Sequence, residues 1–232
     1  MLSPVEIAAL SLSLKVALTA TVTALPVAIA IAYWLARYDF RGKLIVDTFV
    51  HIPLVVPPVV VGYILLLAFA PTGGIGAWLS SIGLSPAFKW QGAAIASGVM
   101  AFPLMVRSIR QAFEAEPAAY REVAATLAVS RWVQFRRISL PLAYSGILSG
   151  TVLGFARAIG EFGATITFAA NIPGLTQTLP LALYSAAQSP GGEHTAMRLA
   201  LLCLIPALAS LAASEWLQRR ARRKQHGQGR HL

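Results

Sequence analysis

Long apolar runs separated by short polar segments dominate this chain. Runs able to cross ~30 Å of hydrocarbon lie at about residues 9–35, 48–70, 92–112, 141–160 and 197–217. Inside a bilayer only helices and closed barrels satisfy their backbone N–H and C=O groups, and these runs have the length of helices. The pattern predicts an all-α integral membrane protein, with five transmembrane helices in a single domain over residues 1–232.

One polar stretch, residues 117–136, has a pattern that suits a single amphipathic helix, and we call it the amphipathic segment. The helix would place Glu122, Thr126 and Ser130 along one stripe. It would either dock on a partner outside the bilayer or lie on lipid head groups, for which Trp132 and the neighbouring arginines are suited. Periodicity alone leaves both interpretations open.

The stretch from Glu161 to Ser189 is less regular. Its first part is apolar enough to enter a membrane, although Glu161 lies within it. Asn171, Pro173 and Gly174 then interrupt the apolar pattern. Irregular backbone at membrane depth needs partners from protein or from a water-filled cavity, so we expect a re-entrant or kinked helix here. A sixth full span would instead move the C-terminal tail to the outside.

Composition supports a membrane protein. The chain has 232 residues, of which 56% are hydrophobic and 12% charged, whereas about a quarter of a soluble domain is charged. The net charge of +10 is divided among short runs between apolar blocks, so it does not form a surface for nucleic acid. The single Cys203 excludes a disulfide framework, and the first apolar run lacks a basic leader, so we expect it to be a retained span.

The basic residues predict the orientation. Of the 19 Lys and Arg residues, 15 lie in residues 36–47, in residues 107–137 or from Arg219 onward, and none lies in residues 160–196. The positive-inside rule then places the N-terminus outside, and the amphipathic segment and the C-terminal tail in the cytosol. We expect a multi-pass protein of the inner, cytoplasmic membrane of the cell.

Two adjacent prolines interrupt the second apolar run. Pro57 and Pro58 each lack a backbone N–H, so a kink or break is expected there. A broken span would line a translocation path or gate. Alternatively, the kink only shapes the packing of the helix.

A pair of opposite charges ends the fourth run. Arg157 and Glu161 are four residues apart, within reach of each other on a helix. They either form an ion pair that fixes a helix break, or Arg157 attracts an anion along the path. In the second case Thr165, Thr167 and Asn171 would offer neutral hydrogen-bond donors to that anion.

Small residues recur in the same run. Gly146, Gly150 and Gly154 are spaced four apart, which puts them on one helix face and allows a second helix to approach closely. The seam would either slide during transport or serve as static packing.

The chain lacks the residues of several chemistries. No Gly-x-x-x-x-Gly-Lys-Ser/Thr string occurs, so we expect no ATP site of the P-loop type. His51 has no second ligand at metal spacing, and Glu193 with His194 lacks a third orienting group, so neither a metal site nor an enzyme is expected. The alternative function from a different class is an ion-coupled secondary transporter. Such a protein would need intramembrane titratable groups and two related halves.

The amphipathic segment and the residues after it resemble the EAA loop of ABC importer permeases. Glu122, Ala124 and Ile138–Pro141 fall in register with that loop. Val123 stands where the family usually has Ala, and Ala128 stands where it usually has Gly, and both replacements are expected to be compatible with a helix. Further strings are similar to the molybdate ABC transporter permease family over almost the whole chain: His51–Tyr63, Phe102–Arg107, Gly160–Phe168 and Asn171–Gly174.

The resemblance implies an ABC importer permease of the MetI-like fold, with molybdate as the substrate and sulfate or tungstate as alternatives. It implies a homodimer in a lipid bilayer, two copies of an ABC ATPase subunit and an extracytoplasmic oxyanion-binding protein, and no nucleic acid. ATP and Mg would bind the ATPase, so this chain would hold no cofactor and catalyse no reaction. The residues implied to couple to the ATPase are Arg121, Glu122, Ala124, Ala125, Ala128 and Arg131.

Overall fold

The computed structural model describes the backbone of residues 2–228 and the side chains of residues 2–216. Every regular element in that range is helical. The basic run from Arg219 onward, on which part of the orientation prediction rests, lies outside the described side chains.

The first helix, α1 (Pro4–Arg37), has 34 residues and a well-defined start. Ser3 Oγ accepts a hydrogen bond from the Glu6 N–H at 3.2 Å, and the Glu6 carboxylate accepts one from the Ser3 N–H at 2.6 Å. This reciprocal capping box satisfies two N–H groups that a helix start leaves free. At 1.5 Å per residue α1 is ~50 Å long, which exceeds the ~30 Å hydrocarbon core.

The second apolar run is divided into two helices. Helix α2 (Lys43–Val55) and helix α3 (Pro58–Phe69) are bent by 114° at the prolines. A residue before proline is excluded from the helical region, and Pro57 accordingly has an extended ψ of 133°. The span expected over residues 48–70 is therefore divided into two bent helices, and the break expected at Pro57 and Pro58 is present.

Helix α4 (Gly74–Ser81) is short, and helix α5 (Trp90–Glu114) is long and central. The amphipathic segment follows as helix α6 (Ala118–Thr126) and helix α7 (Arg131–Gln134). The single helix expected over residues 117–136 is thus interrupted between these two. A π-helical turn (Phe135–Ser139) and the short helix α8 (Leu140–Leu142) lead into α9 (Tyr144–Ile159), with a bend of 68°.

The stretch after Ile159 contains two short helices, α10 (Gly163–Ala169) and α11 (Leu179–Ala187). The connection between them is irregular, as the interrupted apolar pattern predicts. The last helix, α12, is Glu193–Gln228.

Helices α1, α5 and α9 pack against one another at the centre of the fold. Helix α12 lies against α9 and α11, while α10 fills the space between α3 and α5. Small residues permit these close contacts, and Ala17, Ala20, Ala101 and Ala158 form one fully buried cluster with Ile159. Such packing suits membrane helices, which associate through close van der Waals contact.

Among the described residues, three single helices are long and apolar enough to cross a membrane, and the two bent pairs raise the number to five if each is one span. The three are α1, α5 and the part of α12 over Glu193–Trp216. The chain is therefore an all-helical integral membrane protein with three to five candidate spans.

Candidate functional site

The amphipathic segment exposes large apolar side chains next to charged ones. Leu127 is 70% exposed and Trp132 68%, and Tyr120 and Val123 are also more than half exposed. Arg121, Glu122, Ala125 and Arg131 lie on the exposed surface as well. In the part of the chain that the structure describes, Glu122 forms no ion pair or side-chain hydrogen bond. Apolar surface among charges is typical of a docking surface for another protein.

A tight turn built around Ala128 separates α6 from α7. Ala128 has a positive φ of 49°. The Val129 N–H donates to the Ala124 carbonyl at 3.0 Å, and the Ala128 N–H donates to the Ala125 carbonyl at 3.1 Å. These two bonds define a Schellman motif, in which the residue with positive φ is usually glycine. The expectation that Ala128 sits within a helix is therefore wrong. Helix α6 ends at Thr126, and the backbone of Ala128 adopts a left-handed conformation.

Two other residues implied to couple to the ATPase also contact this chain. Ala124 is only 3% exposed, so its methyl group packs within the protein. The Arg131 guanidinium carbon lies 5.9 Å from the centre of the Tyr38 ring, in a cation–π contact with the end of α1. Arg121, Glu122, Ala125 and Arg131 are all exposed and therefore accessible to a partner.

The proline break contacts the start of α10. A Cβ added to Gly163 would lie 2.8 Å from Pro58 Cβ, and one added to Gly62 would lie 2.6 Å from the Ala164 carbonyl oxygen. No side chain fits at either position. The break after Pro57 therefore turns α3 so that it packs closely against α10.

Arg157 and Glu161 form the ion pair that their spacing allows, with Arg157 Nη1 2.6 Å from Glu161 Oε2. The other carboxylate oxygen of Glu161 accepts a hydrogen bond from the Ala164 N–H at 2.8 Å, which caps α10. Glu161 is buried, and both of its oxygens are engaged. The arrangement favours the interpretation that the pair fixes the break between α9 and α10.

The three neutral donors expected along a path lie in α10 and just after it. The Thr165 side chain is fully buried, and Thr167 donates to the Gly163 carbonyl at 2.9 Å. Asn171 donates to Ser185 Oγ at 2.8 Å and accepts from Gln177 Nε2 at 3.0 Å. Gln177 and Ser185 could not be identified from the sequence, because their contacts with Asn171 depend on how the irregular connection folds.

The glycine seam of α9 faces α5. A Cβ on Gly146 would overlap Ala112 Cβ, one on Gly150 would lie 3.0 Å from Ile109 Cγ1, and one on Gly154 would lie 2.5 Å from Met105 Cγ. The four-residue spacing thus brings two helix backbones together at the centre of the fold. Among the described residues, no group of His, Cys, Asp and Glu has the arrangement of a metal site.

Known proteins are similar to this chain over nearly its full length. The molybdenum transport system permease protein ModB of Haemophilus influenzae is 50% identical over 226 residues, which are 97% of this chain and 98% of that protein. ModB of Escherichia coli K12 is 48% identical over 97% of this chain and 98% of its own. The sulfate transport system permease protein CysT of E. coli K12 is 30% identical over 78% of this chain and 66% of its own.

The fold is also found in a solved structure. A bacterial ABC transporter involved in the import of the acidic polysaccharide alginate matches with a TM-score of 0.68 at 18% identity, covering 96% of this chain and 80% of that one. Residues 24–224 match the family model described as the inner membrane component of binding-protein-dependent transport systems. Family members are components of transport systems rather than catalytic subunits. The chain therefore belongs to the family of binding-protein-dependent transport system inner membrane components.

Proposed function

We propose that this chain is the membrane-spanning subunit of an ATP-driven importer of a tetrahedral oxyanion, and that the oxyanion is molybdate. The relatives that are 48–50% identical in sequence are named as molybdenum transport permeases, whereas the sulfate permease is only 30% identical. Tungstate has the same shape and charge as molybdate, so it is the alternative that the substrate experiment must test.

The exposed surface of the amphipathic segment carries this proposal. Leu127, Trp132 and Tyr120 expose apolar area beside Arg121 and Glu122, and water covers such a surface only at a free-energy cost. An ATPase subunit that covers this surface would explain how a chain without a P-loop gains access to ATP.

The placement of polar residues supports a particular position in the bilayer. The Lys15 ammonium lies 3.9 Å from the centre of the Trp90 ring, where α1 and the start of α5 meet. Lys15 and Arg37 are separated by ~33 Å of helix, close to the thickness of the hydrocarbon core. We infer that Lys15 and Trp90 lie at the outer boundary and Arg37 at the inner one, with five spans, the N-terminus outside and α6 and α7 in the cytosol of a bacterial cell.

The assembly we propose contains two copies of this chain, two ATPase subunits that hold ATP and Mg, and one extracytoplasmic oxyanion-binding protein. The path would form where the two copies meet. Selectivity would reside in the binding protein, because Arg157 is already paired with Glu161, while Thr167 and Asn171 already donate within the chain. Isolated permease should therefore bind molybdate weakly, and tight calorimetric binding would contradict this part of the proposal.

Reconstitution into liposomes tests the function. The chain should copurify with a P-loop ATPase, and binding protein loaded with molybdate should stimulate ATP hydrolysis and uptake more than binding protein exposed to sulfate or tungstate. An ATPase with its P-loop Lys replaced is the matched control and should support neither activity. Uptake that continues without ATP and follows an imposed ion gradient would contradict the proposal and favour a secondary transporter.

A further inference from the structure

A buried ion pair joins the end of α1 to the residue just before the amphipathic segment. Arg37 is the last residue of α1, and its Nη2 contacts Glu116 Oε2. The side chains are 8% and 1% exposed. The two residues are 79 positions apart in the sequence, so the contact is a product of the tertiary fold.

Aromatic contacts lie next to this ion pair and also join α1 to the amphipathic segment. The Tyr33 ring packs edge-on against Phe113, with ring centres 5.2 Å apart, and against Phe135, with centres 4.6 Å apart. Phe113 precedes α6 and Phe135 follows α7, so one turn of α1 contacts both ends of the amphipathic segment. Together with Arg37, Glu116 and the contact between Arg131 and Tyr38, these residues form what we call the α1 clamp.

The ion pair is poorly suited to a role in stability alone. Burying two charges costs desolvation energy, and a well-packed apolar pair of similar volume is commonly as stable or more stable. Arg37 Nε and Glu116 Oε1 are moreover buried without a hydrogen-bond partner in the described part of the chain. A charged pair does, however, fix the relative position of two segments more strictly than apolar contact does.

Helix α1 is also placed to carry movement away from the clamp. It packs against α5, α9 and α11 along its length, and its first turns bring Glu6 within 3.2 Å of Arg198 on α12. A displacement of α6 and α7 that is passed to Arg37 would therefore reach α5, α9, α11 and α12 through α1.

We propose that Arg37 and Glu116 are positioning residues that transmit movement of α6 and α7 to α1 and so to the membrane spans. This inference rests on the proposed function as a permease driven by an ATPase. The pair touches neither nucleotide nor oxyanion in this role, and it acts by keeping the clamp closed while the amphipathic segment moves.

The experiment uses the full complex in liposomes with its ATPase and its binding protein loaded with molybdate. Arg37→Met and Glu116→Gln each leave one buried group without its charged partner, and the double variant Arg37→Met/Glu116→Met removes both charges. We expect the double variant to assemble with the ATPase and keep basal hydrolysis, while molybdate uptake per ATP falls roughly tenfold, a typical strength of coupling between sites. The single variants should show the same loss of uptake per ATP, with lower thermal stability.

A second ion pair nearby provides the matched control. Lys43 Nζ lies 2.7 Å from Asp39 Oδ1, and the Asp39 side chain is 97% exposed. The variant Lys43→Met/Asp39→Met should retain the wild-type ratio of uptake to hydrolysis.

The outcomes separate the two proposals. If the double Arg37/Glu116 variant transports as well as wild type, the pair serves packing only and the inference is overturned. It is equally overturned if uptake falls only in proportion to the amount of assembled complex. If wild-type chain neither copurifies with an ATPase nor imports molybdate with ATP, the proposed function itself fails.

Discussion

The central bundle and the amphipathic segment bury apolar surface in opposite ways. In the bundle of α1, α5 and α9, alanines and glycines bring the helices together so closely that residues such as Ala17 and Ala101 are fully buried. In the amphipathic segment the large side chains Leu127 and Trp132 remain more than two-thirds exposed. The bundle completes its contacts within one chain, whereas the segment leaves its apolar surface for a partner.

Neighbouring charges distinguish the exposed apolar residues of the amphipathic segment from those of α2. Phe49 and Val55 on α2 are also highly exposed, but they lie in an apolar run that lipid can cover. The exposed residues of α6 and α7 alternate with Arg121, Glu122 and Arg131, which require water or a polar partner. The comparison predicts that substitutions in the bundle affect folding, while substitutions on the segment affect assembly.

The largest effect is expected for Gly146→Leu in the bundle. Even a Cβ at this position would overlap Ala112 Cβ, which is attached directly to the backbone of α5 and cannot move away. Overpacking of this kind costs about 1–3 kcal/mol or more, so we expect little folded, monodisperse protein in detergent. Gly98→Ala is the control, because its new Cβ would meet Ala20 atoms at ordinary distances of 3.6–3.8 Å. Equal yields of the two variants would show that the seam is not closely packed.

The next largest effect is expected for Leu127→Asp on the segment. A charge at the centre of a docking surface should cost about 2 kcal/mol or more of binding energy and reduce copurification of the ATPase by roughly thirtyfold. The permease itself should keep its thermal unfolding temperature, because Leu127 is 70% exposed within the chain. Leu127→Ile preserves the apolar surface and should retain the ATPase. If Leu127→Asp lowered the unfolding temperature as well as the copurification of the ATPase, Leu127 would contribute to the stability of the fold rather than to docking alone.

A smaller effect is expected for Glu122→Ala. Glu122 has no ion-pair partner in the described part of the chain, so its removal should not change stability. If it contacts the ATPase, uptake per ATP should fall by roughly tenfold, within the range for coupling between sites. Thr126→Ala, one turn further along the same face of α6, is the control. Unchanged transport by an assembled Glu122→Ala complex would refute a coupling role for this carboxylate.

Much of the membrane region could be predicted from the sequence because its signals are local. The apolar runs have the length of spans, Pro57 and Pro58 lack the N–H groups that a continuous helix needs, and glycines at a spacing of four share one face. The spacing of Arg157 and Glu161 likewise allowed an ion pair, which the structure contains. Each of these signals involves residues within a few turns of one helix.

The remaining features depend on contacts between distant residues. Arg37 and Glu116 are far apart in the sequence, and no periodicity relates them. The hydrogen bonds of Asn171 with Gln177 and Ser185 depend on the path of an irregular connection. The turn at Ala128 could not be predicted from propensity, because alanine is the strongest helix former and its positive φ is imposed by the surrounding structure.

The smallest expected effect tests this turn and sharpens the comparison between the two regions. Ala128→Gly removes the Cβ that makes a positive φ unfavourable, a penalty of ~1–2 kcal/mol for an L-residue. Because glycine also increases the entropy of the unfolded chain, we expect a net stabilisation of at most about 1 kcal/mol. Ala125→Gly, within α6, should instead destabilise the protein by up to ~1 kcal/mol, since glycine is a poor helix former. The free energy of unfolding of both variants can be measured by chemical denaturation in detergent. If Ala128→Gly raises it and Ala125→Gly lowers it, α6 ends between these two residues. Two destabilising results would mean that Ala128 is helical in solution, and α6 and α7 would then present one continuous surface to the ATPase.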